Sequence, residues 1–171
     1  VSIAPLTEFV LSLKDIGKNG GRVLCDPQRT ASWIVETLTA EGAEIIKGED
    51  PCTLPKACKN EVEIEGIREA HKRDGAAVCE FLAWLEKEFL SGNVTEIDAQ
   101  NYLDWCRQQR ALWKDQSFPT ISAVGSNGAI VHYRATEQSN RLISPNCLYL
   151  VDSGGQYLDG TTDITRTVAI G

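Results

Sequence analysis

The sequence YLVDSGGQYLDGTTDITRTVAIG, which runs from Tyr149 to Gly171, places Asp152 and Asp163 among strand-forming residues. Aspartate is one of the poorest strand formers, so two aspartates on neighbouring strands need a chemical reason. A hairpin that pairs Asp152 with Asp163 has its centre between Tyr157 and Leu158, with a loop of two or four residues. Directly opposite residues share one face of a sheet, and their Cβ atoms lie about 5 Å apart.

The aspartate pair has two interpretations, which depend on the register of the hairpin. Two bare carboxylates so close would repel, and a bound cation removes this conflict. In two-metal sites, carboxylates bridge ions that lie about 3.5–4 Å apart. A second register uses Asp159 and Gly160 as a two-residue turn and places Asp163 opposite Gln156. Spacing alone leaves open whether the aspartates bind metal or serve as turn and cap residues.

The composition indicates a folded globular protein and limits the classes of function. Of the 171 residues, 42% are apolar and 24% are charged, and the formal net charge is −7. This length holds one domain, or one domain and part of another. The acidic balance argues against nucleic-acid binding. No apolar run reaches the length of a membrane span, so we expect no membrane partner.

The cysteines and the N-terminus predict the cellular setting. The six cysteines form no C-x-x-C pair, so we expect reduced thiols in a cytoplasmic protein and no zinc cluster. The sequence begins with Val1 and contains no methionine. We therefore expect its N-terminus to be processed or internal to a longer protein.

Hydrophobic periodicity predicts an α/β segment followed by helices and then by strands. Residues 21–27 and 43–48 are typical of strands that flank a helix over residues 29–42. The two prolines of the segment EDPCTLP then interrupt the pattern, and we expect a domain boundary after residue 52.

The second part of the chain is predicted to be helical first and strand-rich afterwards. One long helix is predicted from about Asn60 to Ser91, and a capping box of Thr95 and Asp98 opens another that ends near Arg110. From Ser117 the period becomes two. Strands are predicted over residues 118–125, 129–135 and 141–170, the first two joined through the turn GSNG. Helices followed by a sheet indicate an α+β order.

Three stretches carry a family resemblance. The sequence DSGGQYLDGTTDITRT, residues 152–167, is similar to the metal-binding signature of the aminopeptidase P group of pita-bread metallopeptidases. The stretch GSNGAIVHYRA, which contains His132, resembles the substrate-binding histidine segment of that family. Residues 54–86 resemble the opening helix of its catalytic domain.

The resemblance implies a fold and a domain organisation. Residues 1–52 would be the C-terminal part of a creatinase-type N-terminal α/β domain. Residues 53–171 would be the N-terminal half of a pita-bread catalytic domain, with two helices packed on a curved antiparallel sheet. The implied fold class is therefore α+β.

The resemblance also implies a dinuclear metal site. The family holds two divalent ions, usually Mn²⁺ with Zn²⁺ or Co²⁺ as alternatives, by two aspartates, a histidine and two glutamates. Asp152 would bind one ion and Asp163 would bridge both, while the ions activate a water molecule and polarise the scissile carbonyl. His132 would bind substrate and steady the charge of the tetrahedral intermediate.

Only two of those five ligands have counterparts here, because the others follow Gly171 in the family. We therefore expect the chain alone to be inactive and to bind Mn²⁺ weakly. His71 lies in the middle of a predicted helix and is expected to be an ordinary surface histidine. Tyr133 would point to the strand face opposite His132, and Thr165 would make strand-face contacts.

The resemblance predicts a metal-dependent aminopeptidase that releases the N-terminal residue from peptides with proline second. Such a bond has no amide N–H, which makes it a poor substrate for general peptidases. The expected partner is a peptide with an Xaa-Pro N-terminus, and the full-length protein is expected to be a cytoplasmic homodimer. The alternatives are prolidase, which cleaves Xaa-Pro dipeptides, and a non-catalytic pita-bread binding module. Retention of both aspartates argues against the binding module.

Overall fold

The chain folds into two compact units, Val1–Lys59 and Asn60–Gly171. The computed structural model describes residues 3–171. The division follows a short helix, Thr53–Ala57, and thus comes later than the boundary expected after residue 52.

All six cysteines are free thiols. Within the described residues, no helix has both the length and the apolar character needed to cross a membrane.

The first unit contains the predicted strand, helix and strand. Its elements in chain order are α1 (Phe9–Lys18), β1 (Arg22–Cys25), α2 (Ser32–Ala40), β2 (Glu44–Lys47) and α3 (Thr53–Ala57). Strands β1 and β2 are parallel, with Arg22 opposite Glu44. Gly42 follows the end of α2 in a left-handed conformation (φ +104°) that favours glycine. The small hydrophobic core of this unit contains Leu13, Cys25, Leu38 and Ala43.

The second unit begins with two helices, both close to the predicted bounds. These are α4 (Glu61–Glu88) and α5 (Glu96–Gln108), and a 3₁₀ turn over Phe89–Ser91 follows α4. Asn60 and Thr95 each open their helix with a capping box, which satisfies backbone N–H groups that have no intrahelical partner.

Three antiparallel strands form the sheet of this unit, in the order β3 (Trp113–Val124), β4 (Cys147–Tyr157) and β5 (Ile164–Ile170). The prediction of a strand over residues 129–135 is wrong, because none of these residues is in a strand. A 3₁₀ helix occupies Gly125–Ala129, and a turn follows. His132 has a φ of +55°, which is incompatible with an extended strand.

The sheet has two faces with different surroundings. Val124, Tyr149 and Val151 belong to the main core, together with side chains of α4 and α5 such as Phe81 and Leu103. We call this side the helix face. Side chains alternate along a strand, so the intervening residues lie on the other side. That side, the aspartate face, is defined by Ile121, Ala123, Leu150 and Asp152.

Candidate active site

The register of the β4–β5 hairpin differs from both predicted registers. Asp152 lies opposite Thr165, and Ser153 lies opposite Ile164. The same register continues to the bridge between Gln156 and Thr161. Asp163 therefore lies opposite Gly154, and neither Asp152 nor Gln156 is its direct partner. The prediction that the two aspartates face each other directly is wrong.

Contacts between the hairpin tip and α4 explain this register. The tip packs so closely on α4 that a Cβ added to Gly66 would lie 2.2 Å from the carbonyl oxygen of Asp159. A Cβ on Gly160 would lie 3.0 Å from the Cα of Ile67. Arg73 also forms an ion pair with Asp159. Asp159 and Gly160 thus pack against α4, and the backbone hydrogen bond from Tyr157 N to Gly160 O (2.8 Å) leaves Leu158 and Asp159 at the turn.

The two aspartates nevertheless share the aspartate face. Residues two positions apart on a strand point the same way, so Asp163 lies on the same side as Thr165, diagonal to Asp152. Diagonal neighbours in antiparallel sheets are roughly 7–8 Å apart, which long side chains or a shared cation can span. Asp152 is half-buried, and its Oδ1 accepts a hydrogen bond of 2.8 Å from the Thr165 hydroxyl. Asp163 is exposed, immediately before β5.

The chemistry of this pair fits a cation site. Among residues 3–171, no Lys or Arg forms a salt bridge with Asp152 or Asp163. Carboxylate oxygens are suitable ligands for Mn²⁺ and similar hard divalent ions. The described residues contain no group of three or more His, Cys, Asp and Glu side chains that could enclose a metal. The pair is thus suited to be part of a larger ligand set.

His132 lies in the turn that follows the 3₁₀ helix, and its side chain is exposed. The next residue, Tyr133, is buried with Ile121 and Ala123 on the aspartate face. The prediction that Tyr133 occupies an opposite strand face is therefore wrong, since the segment is not a strand. The chain around His132 thus packs on the same sheet face that carries Asp152. His71 is exposed on α4 as predicted, and its Nδ1 lies 2.9 Å from the Ile67 carbonyl oxygen.

A buried ion pair joins the helices to the hairpin. Arg107 of α5 donates to both carboxylate oxygens of Asp74 on α4, at 2.7 and 3.1 Å. The hydroxyl of Tyr157 on β4 donates to Asp74 Oδ1 at 2.8 Å. Burial, and then the nearby Asp74 carboxylate, raise the pKa of Tyr157, so its hydroxyl keeps the proton that it donates.

A second buried carboxylate, that of Glu96, lies where α5 begins and β3 ends. It accepts hydrogen bonds from the Val124 backbone, the Asn127 amide and the Tyr133 hydroxyl. Sequence reasoning missed both carboxylates, although a signal was present. Asp74 follows the buried Ala70 by four positions, and Glu96 precedes the buried Ala99 by three, so both occupy the inward stripe of a helix.

Two family profiles and several curated relatives match this chain. Residues 65–171 match the profile of Metallopeptidase family M24, and residues 1–63 match that of the Creatinase/Prolidase N-terminal domain. A probable Xaa-Pro aminopeptidase P from Aspergillus niger is 43% identical over 143 residues, which are 82% of this chain and 23% of the relative. A similar protein from Aspergillus clavatus is 41% identical over 160 residues, 92% of this chain and 24% of the relative.

Solved structures share the fold. The X-prolyl aminopeptidase from Caenorhabditis elegans, described as a cytosolic enzyme with a di-nuclear active site, matches with a TM-score of 0.79 and 38% identity. The match covers 98% of this chain and 28% of that protein. An Xaa-Pro dipeptidase from Bacillus anthracis matches with a TM-score of 0.75 and 25% identity, over 100% of this chain and 46% of its own.

These matches decide the family, although the chain spans only about a quarter of the length of the curated relatives. The predicted fold class is confirmed: an α+β start of a pita-bread domain that follows the end of a creatinase-type domain. The M24 profile covers more than half of the residues. The chain therefore belongs to metallopeptidase family M24.

Proposed function

We propose that the full-length gene product is a metal-dependent aminopeptidase that releases the N-terminal residue from peptides with proline in the second position. The observation that carries this proposal is the placement of Asp152 and Asp163 on one sheet face, where no Lys or Arg of the described residues forms a salt bridge with either. The curated relatives, which are named as probable Xaa-Pro aminopeptidases P, support the choice of reaction.

Asp152 and Asp163 would hold part of a site for two divalent ions, with Mn²⁺ as the proposed metal and Zn²⁺ or Co²⁺ as alternatives. When bound, such ions supply an activated water molecule and polarise the scissile carbonyl. The Thr165 hydroxyl occupies one lone pair of Asp152 Oδ1 and so limits rotation of that carboxylate. Asp163 is exposed and forms no salt bridge among the described residues, so its carboxylate would be available to hold a metal ion.

His132 is proposed to bind substrate and to assist catalysis. An imidazole N–H can donate to the carbonyl oxygen of the scissile bond as negative charge develops there. Its exposed position, beside a segment packed on the aspartate face, supports this role. A donor of this kind lowers the barrier only if it is already held in position before the reaction.

A prolidase activity on Xaa-Pro dipeptides is the second candidate. Its support is the shared fold with the Xaa-Pro dipeptidase from Bacillus anthracis. Identity to that protein is 25%, against 43% to the Aspergillus niger relative, and this difference favours the aminopeptidase. A cytoplasmic location and a homodimer of the full-length protein remain predictions.

Paired assays on the full-length gene product test the proposal. With Mn²⁺ present, we expect turnover of a tripeptide with proline second and little turnover of an Xaa-Pro dipeptide, and the reverse preference would favour prolidase. Asp163→Asn should abolish turnover and lower the number of ions bound. Asp115→Asn, at an exposed position on β3, is the matched control and should leave both unchanged.

Two further results would contradict parts of the proposal. Normal turnover by the Asp163→Asn variant would remove Asp163 from the metal site. Turnover by the isolated 171-residue chain near the full-length rate would contradict the expectation that two aspartates are too few ligands.

A further inference from the structure

Glu96 has a fully buried carboxylate without a cationic partner in the described chain. Its Oε1 accepts bonds from Val124 N at 2.7 Å and Asn127 Nδ2 at 2.9 Å. Its Oε2 accepts bonds from the Tyr133 hydroxyl at 2.8 Å and from Arg141 N at 3.1 Å. A buried charge is costly unless it is fully hydrogen-bonded, so these four donors must stay in place together.

The four donors lie on both sides of His132 along the chain. Val124 and Asn127 precede it, whereas Tyr133 and Arg141 follow it. His132 itself has a φ of +55°, a left-handed conformation that is unfavourable for a non-glycine residue. Such a conformation persists only when the surrounding structure enforces it. The bonds to Glu96 provide that enforcement at both ends of the segment.

Glu96 is itself held by groups outside this segment. Its carbonyl oxygen accepts a bond of 2.7 Å from the Ser122 hydroxyl of β3. It is also the first residue of α5, whose buried Ala99 and Leu103 pack in the main core. The position of the carboxylate is therefore set by a strand and by the packing of a helix, and the irregular segment is arranged around it.

We propose that Glu96 is a positioning residue for His132, which it holds on the aspartate face by ordering residues 125–135. The inference rests on the proposed function, in which His132 contacts the substrate. Glu96 does not touch the substrate in this proposal. It acts through the conformation of the segment that carries the histidine.

Glu96→Gln is the sharpest test, because it keeps the shape of the side chain. A glutamine has one acceptor oxygen and one NH₂ group. In either orientation the NH₂ group faces a backbone N–H, that of Val124 or that of Arg141, and one buried donor loses its partner. Asp98→Asn is the matched control, since it weakens the cap in the same helical turn without contacting residues 125–135.

Two measurements on the full-length gene product separate positioning from general stability. Hydrogen–deuterium exchange over residues 125–135 should rise at least tenfold in Glu96→Gln, with exchange in α4 unchanged. In Asp98→Asn, exchange over residues 125–135 should stay at the wild-type rate. With a tripeptide substrate, kcat should fall at least tenfold in Glu96→Gln while KM changes less, and Asp98→Asn should keep the wild-type kcat.

A double-variant comparison checks that the effect passes through His132. In a His132→Ala background, Glu96→Gln should lower kcat by less than twofold further, because the group that it positions is absent. A full tenfold loss in that background would overturn the proposal. Unchanged exchange over residues 125–135 in Glu96→Gln would overturn it as well.

The two readouts also distinguish this inference from the proposed function. If the wild-type protein cleaves no Xaa-Pro peptide, the proposed function fails, and the exchange measurement still decides whether Glu96 orders the segment. If Glu96→Gln does not fold, Tyr133→Phe takes its place, because it removes one donor only. It should raise exchange over residues 125–135 two- to fivefold, and no change there would contradict the proposal.

Discussion

Asp74 and Glu96 are both fully buried carboxylates, but they are stabilised in different ways and hold different parts of the second unit. Asp74 pairs with the guanidinium of Arg107 and with the hydroxyl of Tyr157. Glu96 accepts bonds only from uncharged donors, two of which are backbone N–H groups.

The two carboxylates have different kinds of partner because they hold different kinds of backbone in place. The partners of Asp74 lie on α5 and β4, so a strong ion pair docks regular elements that already have their own backbone bonds. The partners of Glu96 belong to the end of β3 and to irregular backbone, and they include the main-chain N–H groups of Val124 and Arg141. A carboxylate surrounded by uncharged donors satisfies such groups directly. The first cluster thus positions the hairpin with the aspartates, and the second positions the segment with His132.

Removal of the cation from the first cluster should have the largest effect on stability. Arg107→Met leaves the Asp74 carboxylate buried without its charge partner, which costs about 3–5 kcal/mol. Chemical denaturation of the full-length protein measures the loss. Arg110→Met is the control, because it removes a partly exposed pair with Glu80 and should cost about 1 kcal/mol or less. Equal losses in the two variants would mean that Asp74 and Arg107 do not dock the helices.

The contact between α4 and the hairpin tip should give an intermediate effect. Gly66→Ala puts a Cβ 2.2 Å from the Asp159 carbonyl oxygen, so the hairpin must shift, at a cost of about 1–3 kcal/mol. The shift should also weaken Mn²⁺ binding, which isothermal titration calorimetry measures.

Gly75→Ala in the same helix is the matched control for this contact. A Cβ at Gly75 meets nothing within 4 Å, so the added helix propensity should stabilise the protein by about 1 kcal/mol or less. If Gly66→Ala were as stable as Gly75→Ala, the packing of the tip against α4 would not determine the hairpin register.

Protonation of a third carboxylate, that of Asp104, should have the smallest effect on the free energy of unfolding. This effect depends on pH. Burial raises the pKa of Asp104 to about 6, although Arg107 and Gln116 oppose the shift. The folded state therefore binds the proton more tightly than the unfolded state, whose pKa is the ordinary value. The resulting stability is complete below about pH 4 and is lost as the pH rises through 6.

Asp104→Asn removes this titration and tests the assignment. Its unfolding free energy, measured by urea denaturation at several pH values, should change less between pH 4 and 6 than that of the wild type. Parallel curves for the two proteins would show that Asp104 does not titrate in this range.

The accuracy of the sequence predictions varied with the kind of information that each element required. Both long helices were predicted closely, because three-to-four spacing and the capping residues are local signals. The segment over residues 129–135 was predicted as a strand, yet its conformation depends on Glu96, which lies more than thirty positions earlier in the chain. No local pattern reports such a contact.

The sequence by itself determined the two long helices, the family signature and the residue types of the candidate site, because these depend on periodicity and on side-chain chemistry. Only the tertiary structure decided the hairpin register. Asp159 and Gly160 are a strong turn signal on their own, but close contact with Gly66 and the ion pair with Arg73 hold them against α4. The two aspartates consequently became diagonal neighbours on one face, since packing against a distant helix outweighs a local turn preference.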